Sequence, residues 1–396
     1  ALELVHSAGI EVLTLEADKA TVLANPLEQA WLVERGFTAR VLIEDYGLYL
    51  AGQRQAGPRP AAAGGFASGS MGGFFSPNEI EAFVDSLIRN DRHGIISQRF
   101  EIGRTQENRP LWAVRVSDNA AADEDEPEVL YNSLIHAREG AGVMCLLYYL
   151  KWLIENYGKA DSVTALVENR EMYFIPLVNP DGYERNWQIY SGGGGFGLWR
   201  KNARDNDGDG LIVGLFDGVD LNRNFSYMWG FDNSGSSQYS SWESYRGPSA
   251  FSEPESRALR DFINSRFFSC AVNFHSYSSV LINPWGYADL QPPDSILYAR
   301  LGRELTAENQ HRHGSASRTL GYRVNGELTD WEYGDSSHPK IMAWSIEIGE
   351  KTDDFWPPVS RIEYLCGLNL PFCFTLARLA GFEPGMDSLR IEYTGV

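Results

Sequence analysis

Cysteine is scarce in this chain: Cys145, Cys270, Cys366 and Cys373 are the only four in 396 residues, with no CxxC pair and no even spacing. That excludes a disulfide-dense scaffold and a cysteine-built zinc knuckle. Were Cys366 and Cys373 on one helix, they would share a face but stand about 10 Å apart along its axis, too far for a mutual bridge. Buried thiols are expected, with pairing to Cys145 or Cys270 left open. Long apolar runs are also missing, since no stretch approaches the roughly 20 residues that a membrane-spanning helix needs. Positive charge is in deficit, with Lys+Arg 34 against Asp+Glu 53 and a net charge of −19. Such a surface repels phosphate backbones and anionic membranes, so nucleic acid is not an expected partner. No internal repeat is visible, which sets aside solenoids and propellers. The chain opens at Ala1 without a basic leading region, so a signal peptide is expected to have been removed and the protein to be secreted or periplasmic.

What is present is enough apolar residue, 43%, to bury a large core. The clearest boundary is GPRPAAAGGFASGSMGG, residues 57–73, whose small and turn-forming residues read as a linker over 57–75. Before it, IEVLTLEADKATVLANP alternates like a hairpin, LEQAWLVERG has helical spacing and FTARVLIEDY returns to strand alternation, predicting an α+β appendage over 1–56 of β-β-α-β order. After it, SPNEIEAFVDSLIRN opens with Ser76, Pro77 and Glu79 in capping-box spacing ahead of an amphipathic helix, which starts the main domain, 76–382. A tail is expected over 383–396. EVLYNSLI, MYFIPLV, CAVNF and AWSIEI read as buried strands, alternating with helical stretches such as AGVMCLLYYLKWLIENY, EPESRALRDFINSRF and YLCGLNLPFCFTLARLA. This alternation predicts an α/β fold with a mixed, mostly parallel twisted sheet flanked by helices on both faces.

In such sheets the site lies outside the strand carboxyl ends. YNSLIHAREG places His136 and Glu139 there, three residues apart, and AVNFHSYS places His275 at the end of another strand. Two imidazoles and a carboxylate suit zinc with an open position for water, the composition of a catalytic site. A surface salt bridge and a satisfied core histidine would explain the short HxxE pattern equally well on its own.

The remaining motifs decide between these. HAREG, NPDGYERN, LWRKN, GVDLNRNF, YRGPSAFSEPE, FHSYSSVLINPWGY and WSIEIG, in that order, resemble the zinc metallocarboxypeptidases of the carboxypeptidase A/B type from about Ser76 to Leu379. The resemblance implies that His136, Glu139 and His275 hold one catalytic Zn²⁺, and that Glu347 of SIEIG is the general base. Glu347 is an acid in an otherwise apolar strand, which is costly unless it is a ligand, paired or working as a base. Arg200 of LWRKN matches the arginine that polarises the scissile carbonyl. Asn222 and Arg223 match the pair that grips the substrate's free α-carboxylate, for which a guanidinium fork is the suited donor. Asp220 matches the acid that orients a zinc-bound histidine. Tyr322 matches a mobile tyrosine that folds over bound substrate, and Arg138, Ser276 and Tyr277 match positions that touch the substrate backbone. The implied activity is removal of C-terminal residues from peptides or proteins by a zinc-dependent, monomeric exopeptidase.

The resemblance implies that Thr329 stands at the floor of the specificity pocket, where better-defined relatives have an aspartate or an isoleucine, with Glu327 two residues away and Asn273, Gly286 and Ser345 as neighbours. This composition predicts broad or dual acceptance of apolar and basic side chains. DNDGDG, 205–210, begins like a calcium loop through Asp205, Asp207 and Asp209, but its twelfth position is Phe216 and its flanks are not helical, so an acidic solvated turn is the stronger expectation than Ca²⁺. SGGGGFG, 191–197, is a connection with no GK[ST] after it, not a phosphate cradle. The appendage is similar in position to an inhibitory propiece, and the linker, with Arg54 and Arg59 at its edge, to an activation region. Other readings of the same fold are a non-catalytic peptide-binding protein and a hydrolase of cell-wall peptides or amides. An intact ligand set and base oppose the first, and Asn222, Arg223 and Tyr322 favour an ordinary peptide C-terminus over the second.

Overall fold

The structure, a computed structural model, describes residue 5 and residues 10–16, 19–55, 66, 68–212 and 216–381. The expected tail at 383–396 lies outside the described residues. The N-terminal unit contains β1 (Glu11–Leu15), β2 (Ala20–Leu23), α1 (Pro26–Glu34) and α2 (Tyr46–Gln55). The main domain runs through α3 (Pro77–Asn90), β3 (Phe100–Arg104), β4 (Pro110–Val116), β5 (Glu128–Ser133), α4 (Gly140–Asn156), α5 (Asp161–Val167), β6 (Glu171–Ile175) and α6 (Pro180–Ser191). It continues with α7 (Pro254–Asn264), β7 (Phe268–His275), β8 (Val280–Ile282), α8 (Ser295–Leu305), β9 (Arg312–Gly314), α9 (Ala316–Thr319), α10 (Leu328–Gly334), β10 (Met342–Glu347) and α11 (Val359–Leu379).

Strands β3 to β10 form one mixed sheet in the order β3-β4-β6-β5-β7-β10-β8-β9. Its centre, β6-β5-β7-β10, is parallel throughout. Each central strand is apolar on both sides because each is covered on both sides. Along β5, Val129 and Tyr131 join one core and Leu130 the other; along β10, Trp344 and Ile346 join the first and Ala343 the second. The first core is closed by α3, α4, α8 and α11, through residues such as Val84, Leu146, Leu301 and Phe372, and the second by α7 and α10, through Leu259, Ile263 and Trp331. The predicted capping box is present, with Glu79 N donating to Ser76 Oγ and Ser76 N to the Glu79 carboxylate at 2.8 Å. All four cysteines are buried free thiols.

Two boundaries differ from expectation. FTARVLIEDY is not a strand: among the described residues the N-terminal sheet has two strands, and Val41, Leu42 and Ile43 are exposed, so their alternation finds no strand partner there. The linker is shorter than 57–75, because Phe66, Met71, Phe74 and Phe75 are buried in the first core and Gly69 and Met71 bridge Gly73 and Phe74. A few aromatic side chains anchor a stretch whose overall composition reads as flexible.

The N-terminal unit rests on the main domain. Its own core of Val5, Ile10 and Leu32 is closed by Trp31 and by Trp242 of the main domain, whose rings meet edge to face at 5.1 Å. Tyr46 of α2 donates to the Asp354 carboxylate, and Gly47 O accepts from Phe196 N at 3.3 Å. A Cβ on Gly47 would lie 2.3 Å from Phe196 O, so glycine is what allows this close approach.

Candidate active site and metal centre

Because β5, β7 and β10 are parallel neighbours, their carboxyl ends lie along one edge, and the chemistry collects there. His136 follows β5, His275 ends β7, and Glu347 ends β10 in register with His275. Glu139 sits at the start of α4, where its backbone turns into the helix.

His136 Nδ1 lies 2.9 Å from Glu139 Oε1, His275 Nδ1 2.9 Å from Glu139 Oε2, and the two Nδ1 atoms 3.1 Å from each other. All three side chains are buried. Two imidazole nitrogens aimed at each other and at one carboxylate make a donor set that fits zinc, which takes N and O ligands. Burial pushes the Glu139 carboxyl up, but the two histidines outweigh it and hold the group below its ordinary range.

One aspartate ties this cluster to its surroundings. Asp220 caps a single 3-10 turn, Leu221–Arg223; its Oδ1 accepts from Asn222 N at 3.0 Å and lies 3.1 Å from His136 Nε2. Its Oδ2 accepts from Arg200 Nε at 3.1 Å and Nη2 at 2.9 Å. Burial alone would raise the Asp220 carboxyl; the charges of Arg200 and Arg223 and the contact with His136 hold it well below the usual range. The same residue therefore orients His136, one of the metal-ligand candidates, and fixes Arg200, whose Nη1 is left 3.5 Å from Glu139 Oε1.

These groups open onto one cavity of about 430 Å³. Arg138, Arg200, Asn222, Arg223, Ser276, Tyr277, Tyr322, Glu327 and Glu347 line it together with the three metal-ligand candidates. Arg223 donates through Nη1 to Asn222 O at 2.7 Å, while its buried Nε has no hydrogen-bond partner among the described residues. Burial pushes the Glu347 carboxyl well above its ordinary value, Glu139 and Glu11 add to this, and Arg200 opposes it.

Glu327 and Ser345 line the cavity, whereas Thr329 and Gly286 are buried and are not among its lining residues. A Cβ at Gly286 would stand 2.0 Å from Glu327 Oε1, so this glycine makes the space that the Glu327 carboxyl occupies. In the 205–210 loop the carboxylates are engaged by their own backbone: Asp205 accepts from Gly208 N and Gly210 N, and Asp209 from Leu211 N. Asp207 accepts from Asp209 N at 3.2 Å, the carboxylates that converge are those of Asp205, Asp207 and Asp217, and the calcium expectation finds no support.

Ile10, just before β1, and Glu11 and Val12 within it also line the cavity, which no local sequence signal announces. Glu11 Oε2 lies 3.7 Å from Arg138 Nη2, and Arg138 Nη1 lies 3.4 Å from Glu243 Oε2. Among the described residues, no helix is long and apolar enough to cross a membrane.

Comparison with known proteins agrees with this geometry. The family model described as zinc carboxypeptidase matches residues 80–371. Mast cell carboxypeptidase A of Rattus norvegicus is 29% identical over 297 residues, 73% of this chain and 67% of the relative. A zinc carboxypeptidase of Saccharothrix mutabilis subsp. capreolus is 28% identical over 368 residues, 89% of this chain and 80% of the relative. Among solved structures, carboxypeptidase A from Helicoverpa armigera superimposes with a TM-score of 0.75 at 24% identity, over 95% of this chain and 92% of that one, and shares the fold. With a family match from residue 80 to 371, spanning the sheet and the three metal-ligand candidates, this chain belongs to the zinc carboxypeptidase family of hydrolases.

Proposed function

We propose that the enzyme hydrolyses the last peptide bond of peptides and proteins with a free C-terminus, accepting apolar and basic terminal side chains. The observation that carries this reading is Arg223: a buried guanidinium whose Nε has no acceptor among the described residues, in the same cavity as the metal-ligand candidates and Glu347. A guanidinium so placed suits the α-carboxylate of a chain end. Zinc held by His136, Glu139 and His275 would supply a Lewis acid and make water a stronger nucleophile at neutral pH. Glu347 takes the proton from the attacking water and returns it to the leaving amine, a role favoured by the environment that raises its carboxyl. Arg200, braced by Asp220, presents its cation where the carbonyl oxygen gains negative charge. Tyr322 and Arg138 position the peptide.

The test is turnover of blocked dipeptides ending in Phe, Leu, Arg, Lys and Glu beside the same peptides carrying a C-terminal amide. Free acids should be cleaved and the amides spared by at least about 10²-fold, the scale of losing a charged hydrogen-bonded pair. Equal cleavage of amides would overturn the exopeptidase reading, and equal turnover of Arg- and Glu-terminated peptides would overturn the pocket preference. Export from the cell and a monomeric state belong to the same proposal.

The N-terminal unit is the enzyme's own restraint in this reading. Ile10, Glu11 and Val12 stand inside the cavity, with Glu11 facing Arg138, where the backbone of a substrate is expected to run. Of the two arginines at the linker edge, Arg54 falls in the last turn of α2 and Arg59 lies outside the described residues. Proteolytic clipping between residues 56 and 65, followed by removal of the N-terminal fragment, should raise kcat/KM at least about tenfold, through KM more than kcat. An intact chain as active as the clipped one would count against the restraint.

A further inference from the structure

Three acids fall within six residues of α10 and its cap, and they are not equivalent. Glu327 lines the cavity near Arg223, whose charge opposes the burial of the carboxyl. Asp330 is engaged by backbone donors: Gly286 N at 2.9 and 3.0 Å and Tyr287 N at 3.1 Å. Glu332 is different. It is fully buried, its Oε2 accepts from Asn273 Nδ2 at 3.0 Å, and its Oε1 has no hydrogen-bond partner among the described residues. A buried carboxyl with an open oxygen and no cation is expensive unless something completes it.

The surrounding hydrogen bonds lead from Glu332 to the cavity. Asn132, Asn273 and Ser345 occupy aligned positions on β5, β7 and β10 and form a polar row on the sheet face that α10 covers. Asn132 donates to Asn273 Oδ1. Asn273 Nδ2 donates both to Glu332 and, at 3.0 Å, to Thr329 Oγ1, which lies 2.7 Å from Ser345 Oγ. An amide nitrogen can only donate, so Thr329 accepts from it, and either hydroxyl of the Thr329–Ser345 pair can be the donor to the other. Ser345 lines the cavity beside Glu327. Asn273 is thus the branch point, giving one amide hydrogen to the Glu332 carboxyl and the other to the Thr329–Ser345 pair, and hydrogen bonds in such a network are coupled in a low-dielectric interior.

We propose that Glu332 is a specificity-determining positioning residue: acting through Asn273, Thr329 and Ser345, it supplies the buried negative charge that lets the pocket accept a Lys or Arg side chain. The inference rests on the C-terminal exopeptidase reading above and adds to it the residue that sets the basic preference. Burial raises the Glu332 carboxyl to about 8, so it stays largely uncharged behind an apolar side chain and ionises when a cation arrives. One pocket then serves both substrate classes without leaving a charge stranded beside a Phe or Leu.

The test is Glu332→Gln, which keeps an acceptor for Asn273 but cannot ionise, assayed on blocked dipeptides ending in Lys, Arg, Phe and Leu. The ratio of kcat/KM for basic over apolar termini should fall about tenfold or more, the effect of removing one charge at this range from a partly buried partner, and the fall should lie in KM. A ratio within twofold of the wild type, or an equal fall for all four substrates, would overturn the proposal. If the Gln variant fails to fold, Thr329→Val interrupts the relay with Glu332 in place and should lower the same ratio. Wild-type protein that cleaves apolar but no basic termini would sink this inference alone, whereas wild-type protein that cleaves none would sink the functional reading beneath it.

Discussion

Replacing Glu347 with Gln lowers kcat by about 10² to 10⁴-fold, the usual contribution of a positioned general base, while zinc content and the far-ultraviolet spectrum stay as in the wild type. In barrier terms this is about 3 to 5 kcal/mol. Side-chain volume is kept, and the strand that carries Glu347 is held by β7 on one side and β8 on the other, so the backbone has no reason to move. What is lost is the ability to take a proton at that end of β10. Arg200, Asp220 and the three metal-ligand candidates remain in place, so peptide binding should persist and KM should change little. A variant that keeps more than a tenth of wild-type kcat would show that another group serves as the base.

Metal removal has a comparably large effect on turnover and a second one on stability. Dialysis against a chelator should abolish activity and lower the unfolding midpoint by several degrees, and stoichiometric zinc should restore both. Without a cation, His136, His275 and Glu139 converge in a buried site with two ring nitrogens 3.1 Å apart. A metal bound only to the folded state adds about 4 kcal/mol when present at a thousandfold excess over its dissociation constant. Calorimetry on chelated and reloaded protein, with metal content measured on the same samples, reads both effects. Full turnover after complete chelation would remove zinc from the mechanism.

The central strands could be read from the chain because their signals are local, whereas the three metal-ligand candidates stand out only once the ordered motifs around them are taken together. β5, β7 and β10 are short apolar runs, two of them ending within three residues of a histidine and the third on a glutamate. Helix α3 carries its own capping box. Misread segments depend on partners distant in sequence. Val41 and Ile43 alternate as a strand would, but alternation does not say whether a neighbouring strand exists to receive it. Phe66, Met71 and Phe74 are hidden in a tract whose average composition reads as a linker, although three buried side chains decide its placement. Glu11 reaches Arg138 across the chain, a pairing without local signature. Glu332 is an intermediate case: an acid within the apolar run LTDWEY is a visible anomaly, but its partner Asn273 lies 59 residues away.

Trp242 bears on the restraint proposed for the N-terminal unit. It belongs to the main domain, yet it forms one wall of the small core around Val5, Ile10 and Leu32. Were the unit cut away as proposed, that core would lose this wall and put its apolar side chains in contact with water. Return would then require rebuilding the wall, so in that reading cutting the chain works as a ratchet and not as a valve.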